Sequence, residues 1–370
     1  MTTEELNLAM KEFYDYWRTK APGKYWKLPA NKKQFINDYL TSPEYIAMVK
    51  YDGYWARTIV GETGILIQSR GISTVTKTYG DYTPLIPHIA EEVKLSIPPG
   101  TVLLGEACYP NDLSRKATDV GKILRCHADK AIERQKVEKD KLHMRYFDIL
   151  AYEYQDVSML PFEERLALLE EVVGIGTYID MAEVADDAQL LLQNVWNAGG
   201  EGIILVNRSL PYKFGGAQAW HSIKVKRELG ELEGKVIGVL EPTRIYEGRT
   251  DLDMWPYWCE FNAKGTRVAT WPVKNGGPTE EDQIEAGLGL STQPVTKPYY
   301  HGWKSGVIVE YKGRTIKMSS GTTDDDGAYL ASDAAKKLIE DGKLHAVFTG
   351  MEMTPDSVRH PNLIRLRDDM

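Results

Sequence analysis

The chain has 370 residues, 42% of them hydrophobic and 26% charged, enough for two domains or one large one with a sizeable core. No apolar run approaches the roughly 20 residues that span a bilayer, and the opening MTTEELNLAMKEF is amphipathic and acidic, unlike a secretory signal. The net charge of −8 argues against a uniformly basic binder of nucleic acid, but local basic clusters exist at Lys24, Lys27, Lys32 and Lys33 and at Lys224, Lys226 and Arg227. Cys108, Cys126 and Cys259 lie far apart with no CxxC pair, which argues against a disulfide framework or a cysteine zinc site and suits a reducing cytoplasm.

In chain order, residues 1–45 read as mostly helical, interrupted by turns at APGK and LPAN. From Tyr45 to Thr76 the runs YIAMVKYDG, WARTIVG and GILIQS read as short strands, each closed by Gly or Ser. A helix follows at about Pro84–Leu95, then the strand TVLLGEACY. Residues 119–143 read as one charged surface helix, and MRYFDILAYE as a strand. PFEERLALLEEVV and AQLLLQNVWNAGG are helices by their three-and-four spacing, the second ending at Gly199. The strands EGIILVN and WHSIKVK come next. RELGELEG is a linker candidate, with a hinge near 228–236. Beyond it, GKVIGVLEP, YWCEFNA, TRVATW, GVIVEYKG, LHAVFTGME and NLIRLRDD alternate as strands. The helix pattern GAYLASDAAKKLIEDG interrupts them, preceded by the Asp324–Asp326 run as a solvated turn, with Asp326 able to cap the helix. Five or six strands plus a helix suit a small β-barrel of the OB type.

The chemistry concentrates in a series of short motifs. KYDG at Lys50–Gly53 is weak alone. SRG at Ser69–Gly71, LLGEA with Glu106, YFDIL with Phe147, EGIIL with Glu201, and IKVK with Lys224 and Lys226 follow it in order. Lys224 and Lys226 are two residues apart and therefore share a strand face. The chain ends in TPDSVRHPNLIRLRDDM.

This ordered series resembles the covalent nucleotidyltransferases, and among them the small ATP-dependent DNA ligases of bacteriophages. The resemblance runs from about Met48 to the C-terminus. It implies an α/β (α+β) nucleotidyltransferase domain, an ATP-grasp-like adenylation domain with antiparallel-rich sheets, over 1–232, and an OB-fold barrel over 233–370. It implies sealing of 5′-phosphate/3′-hydroxyl nicks in double-stranded DNA, in replication or repair, by a monomer with no membrane partner. Lys50 is expected to attack the α-phosphate of ATP and carry AMP. Only the neutral amine can attack, and Lys224 and Lys226 would supply cationic surroundings that favour it while holding phosphates. Glu201 and Glu106 are expected to hold Mg²⁺ through oxygen. Glu106 and Arg70 resemble ribose- and site-binding residues, Phe147 the aromatic that stacks on adenine, Val49 a source of backbone contacts to the base edge, and Asp52 belongs to the same nucleotide-binding motif. Arg367 and Asp369 resemble the residues that orient the leaving pyrophosphate. The family usually has arginine five residues after the lysine, where this chain has Trp55, and Arg57 on the same strand face is expected to substitute. An RNA ligase or a GTP-using capping enzyme shares the lysine chemistry, and a non-catalytic OB protein is the rival from another class.

Overall fold

The computed structural model describes residues 3–28, 35–73, 77–217, 219–227, 229–248, 250–273, 276–279, 281–282, 291–353 and 356–368. Contacts divide the chain into two compact units, Met1–Arg227 and Glu228–Met370.

The first unit is mixed α/β, built on two sheets. Its strands are β1 (Trp26–Lys27), β2 (Tyr45–Lys50), β3 (Tyr54–Val60), β4 (Ile65–Ile72), β5 (Tyr79–Asp81), β6 (Thr101–Cys108), β7 (His143–Tyr152), β8 (Gln155–Asp156), β9 (Ile179–Met181), β10 (Val184–Ala185), β11 (Gly202–Asn207) and β12 (Ser222–Lys226). One sheet has the order β1-β12-β11-β2-β10; the other has β5-β4-β3-β6-β7-β8, with β9 beside β7. All pairings are antiparallel except β1 with β12 and β7 with β9. The larger sheet packs one face against the helices Pro87–Ser96, Ala117–Leu124 and Phe162–Val173, through Ile89, Val93, Val120, Ile123 and Leu169. The smaller sheet packs on the helix Ala188–Asn197 through Leu191, Leu192 and Val195. Phe147 touches core clusters that include residues of both sheets.

Local sequence explains most boundaries. Asp187 caps the helix Ala188–Asn197 by accepting the Leu190 N–H at 2.9 Å. The region expected as one helix over 119–143 is instead Ala117–Leu124 and Ala128–Arg134 followed by a single 3₁₀ turn at Glu138–Asp140. The backbone leaves helical geometry at Arg125 and is extended at His127, because Leu124 and Ala131 must both reach the same core. Residues 1–45 hold the long helix Thr3–Thr19 and the short Ile36–Leu40, with β1 between them.

The second unit contains β13 (Leu232–Leu240), β14 (Trp258–Phe261), β15 (Arg267–Thr270), β16 (Ser291–Pro294), β17 (Gly306–Tyr311), β18 (Arg314–Met318), β19 (His345–Thr349), β20 (Glu352–Met353), β21 (Val358–Arg359) and β22 (Asn362–Arg367). Its main sheet is antiparallel in the order β18-β17-β13-β19-β22. YWCEFNA and TRVATW lie outside it: as β14 and β15 they join β16 in a separate three-stranded sheet inserted between β13 and β17. The expected single helix after β18 is two, Asp324–Leu330 and Asp333–Glu340, because Ser332 breaks the run and caps the second through the Ala335 N–H. The three aspartates form the first turn of the first helix; Thr323 is its cap, and Asp326 completes a reciprocal capping box.

Candidate active site

The chain crosses from one sheet to the other at KYDG. β2 ends on Lys50 and β3 begins at Tyr54, so the lysine stands at the mouth between the sheets. Gly53 is obligatory there, since a Cβ would overlap the Ala107 carbonyl oxygen and crowd Glu106. Opposite, Gly202 pairs with Lys50 on one side and Lys226 on the other. Its φ of +152° and the proximity of the Val225 carbonyl oxygen leave no place for a side chain.

This register assembles the cluster. Glu201, only 7% exposed, holds Lys50 at 2.5 Å through one carboxylate oxygen and Lys226 through the other. A buried carboxylate needs such compensation, and two ammonium groups provide it. Burial, then the neighbouring Lys226 and Lys50, hold the Lys224 ammonium below the ordinary lysine range. Burial and Lys50 do the same for Lys226, against the pull of Glu201. Burial pushes the Glu106 carboxyl up to about 7, opposed by Lys50 and Arg70 and reinforced by Glu201. Asp52, in the turn that follows Lys50, acts on Lys226 in the opposite direction to burial.

These groups face an open cleft of about 1620 Å³. Lys24, Lys27, Lys50, Arg70, Arg125, Lys224 and Lys226 line it, with Glu106. So many cations around one carboxylate suit a polyphosphate. An adjoining apolar recess is lined by Met48, Val49, Phe147 and Ile204, with Tyr25 and Glu106. Phe147 meets Tyr25 edge-on at 6.4 Å. A flat ring in an apolar recess beside a cationic cleft suits a nucleobase joined to phosphates.

The structure thus brings together Lys50, Glu201, Lys224, Lys226, Glu106, Arg70, Asp52 and Phe147. Arg57 is a correction. It is 1% exposed and lines neither the cleft nor the recess; its guanidinium donates to the carbonyls of Trp17 and, at 2.5 Å, Lys20, at the end of the first helix. The helix terminus takes the cation because its last carbonyls lack partners within the helix. The Val49 N–H donates to the Glu183 carbonyl at 2.9 Å, so that donor is already engaged. Arg367 pairs with Glu233 at 3.0 Å within the second unit, and Asp369 lies outside the described residues. Tyr25 and Trp55 also line the site; Trp55 stands where the resemblance expects an arginine, and no sequence pattern marks Tyr25. Asp148, beside Phe147, holds Arg165 in a buried bidentate pair at 2.7 and 2.9 Å, tying β7 to the helix Phe162–Val173.

A two-sheet α/β domain with lysines and a carboxylate converging on a nucleotide-sized cleft is the architecture of a nucleotidyltransferase. The chain belongs to the ATP-dependent DNA ligase domain family, which it matches over residues 30–226. It is 29% identical over 194 residues to a DNA ligase of Archaeoglobus fulgidus and 26% identical over 198 residues to one of Thermococcus onnurineus. Each match covers 51% of this chain and 33% of the relative, so the aligned part spans about a third of these curated relatives. A solved structure from a study of Lig E DNA ligases is similar in fold, with a TM-score of 0.55 at 15% identity, covering 94% of this chain and 99% of that one.

Proposed function

We propose that this protein is an ATP-dependent, AMP-forming DNA ligase that seals nicks through a Lys50–AMP intermediate. The observation that carries the reading is the Lys50–Glu201–Lys226 cluster at the mouth of a cationic cleft beside an apolar recess. Lys50, as the neutral amine, attacks the α-phosphorus; an N–P bond forms, and the bond to pyrophosphate breaks. AMP then passes to the 5′-phosphate of the nick, and the 3′-hydroxyl displaces it. Lys224 and Lys226 hold phosphates, Arg70 and Glu106 face the ribose side, Asp52 tunes Lys226, and Phe147 packs on the base. Such chemistry asks the protein mainly to position groups and neutralise charge.

Glu201 and Glu106 offer hard oxygen donors beside Lys50. That fits Mg²⁺, which is usually held by one or two carboxylates plus substrate phosphates and neutralises charge on the phosphoryl oxygens. Arg367 and Asp369 are assigned to the leaving pyrophosphate. The second unit is read as an OB-type barrel. Its strand order, its helices between β18 and β19, and the Leu363 N–H of β22 donating at 2.8 Å to the Ser320 carbonyl, two residues past the end of β18, support this. Relatives named as DNA ligases favour DNA over RNA as the joined strand and ATP over GTP as the donor. The free cysteines fit a reducing compartment, and we read the working form as a monomer.

Incubation with α-labelled ATP and Mg²⁺, followed by a denaturing gel, tests the reading. Wild type, stripped of any bound AMP by pyrophosphate, is expected to take label and pass it to nicked DNA. Lys50→Ala is expected to take none. An unlabelled wild type, or a labelled Lys50→Ala, would overturn it.

A further inference from the structure

The sheet that carries Lys50, Lys224 and Lys226 ends in the two-residue strand β1, and β1 brings another lysine. It runs parallel to β12 in the register Trp26↔Ile223 and Lys27↔Lys224. Residues paired across neighbouring strands point to the same face, with their side chains about 5 Å apart at the base. Ile223 is fully buried and Trp26 packs on the same core, so Lys27 and Lys224 share the opposite face, toward the cleft. Like charges side by side in a sheet are unfavourable, and Lys27 is among the cations acting on Lys224. A bound polyanion would relieve that repulsion.

The segment is fastened rather than draped. The Gly23 N–H donates to the Tyr212 hydroxyl at 2.8 Å, and the Gly23 carbonyl accepts from Arg70 at 2.7 Å. Lys24 forms a bridge with Ala217, and the Trp26 ring lies 5.7 Å from that of Trp220. Tyr25, between the two lysines, lines both the cleft and the recess.

We propose that Lys27 binds a phosphate group beyond the one Lys50 attacks, extending the phosphate-binding row by one strand. The inference rests on the reading of Lys50 as nucleophile. The phosphate is either the pyrophosphate end of ATP or a phosphate of the nicked DNA, and two arms separate these. One arm measures equilibrium binding of α,β-methylene-ATP, which cannot be cleaved at that bridge. The other titrates AMP-loaded enzyme with nicked duplex. Lys27→Ala should weaken binding about fivefold in at least one arm, as expected for one lost charge contact at a partly solvated site. Lys27→Arg should restore most of it, and the exposed Lys94→Ala, on the helix Pro87–Ser96, should change neither arm. A loss confined to the first arm assigns Lys27 to pyrophosphate; a loss confined to the second assigns it to DNA. Changes below about twofold in both arms would overturn the proposal, since that is the low end of what any exposed charge contact contributes. Wild type that binds the analogue but takes no label from ATP would sink the nucleophile reading alone, and the Lys27 comparison would then be decided by the analogue arm and by titrating unloaded enzyme with the nicked duplex.

Discussion

At the scale of single residues, charge and burial decide which groups work and which only hold the fold. Glu201 is legible as a candidate because it precedes GIIL, but its value lies in accepting two lysines at once, which depends on the β2–β11–β12 register. Phe147 taken alone reads more readily as core than as a platform for a base, and it is partly core: it packs on apolar neighbours while one side borders the recess. His88 shows the same dependence on burial. Its ring nitrogen Nε2 lies 2.9 Å from the Leu142 carbonyl, its ring meets Tyr178 edge-on at 4.7 Å, and burial holds it below the ordinary histidine range. A base lowered in the folded state is protonated more readily in the unfolded chain. Its stabilising contribution is therefore present above the unfolded value of 6.5 and is lost as pH falls toward the lower folded value. Urea unfolding at about pH 7.5 and about pH 5 should show wild type losing more stability than His88→Gln over that interval. Equal losses in the two proteins would contradict it.

At the scale of elements, alternation and capping made the strands and helices readable, while their partners were not. Trp55, Arg57 and Ile59 share one face of β3, as period two requires. What that face meets is the end of the first helix, where Trp17 is 2% exposed and its carbonyl takes the Arg57 guanidinium. Nothing local in WARTIVG announces a helix more than 35 residues away in sequence. Arg57→Ala should destabilise the protein by about 2–4 kcal/mol, because buried carbonyls lose a charged donor and a cavity opens. ATP affinity of the folded protein should stay within about twofold, since Arg57 does not line the cleft and its guanidinium is engaged by the Trp17 and Lys20 carbonyls. A denaturant titration alongside an ATP titration checks both halves. A large loss of ATP affinity without a loss of stability would return Arg57 to the site. The split of the expected helix over 119–143 has a similar origin: the charged sequence permits a continuous helix, and the need to bury Val120, Leu124 and Ala131 together breaks it.

At the scale of the whole molecule, the two units have separate cores. Ile59, Leu103, Ile203 and Ile223 lie in clusters of the first, and Val236, Val309, Ile316 and Phe348 in a cluster of the second. No described cluster mixes them. A chain ending at Arg227 should therefore fold by itself and melt cooperatively, which a thermal scan by circular dichroism would show; a broad, non-cooperative melt would mean that the first unit needs the second. The residues of the site were legible in the sequence because phosphoryl chemistry restricts their types, and because their order along the chain, KYDG, SRG, GEA, FDIL, EGIIL and IKVK, carries the resemblance. Strand periodicity further placed Lys224 and Lys226 on one face. Only the tertiary structure decided that β1 closes the smaller sheet beside β12, that Arg57 serves a helix end, and that YWCEFNA and TRVATW form a sheet of their own. Each of these depends on which surfaces meet across long separations, and pairing energies between distant segments leave no local pattern in the chain.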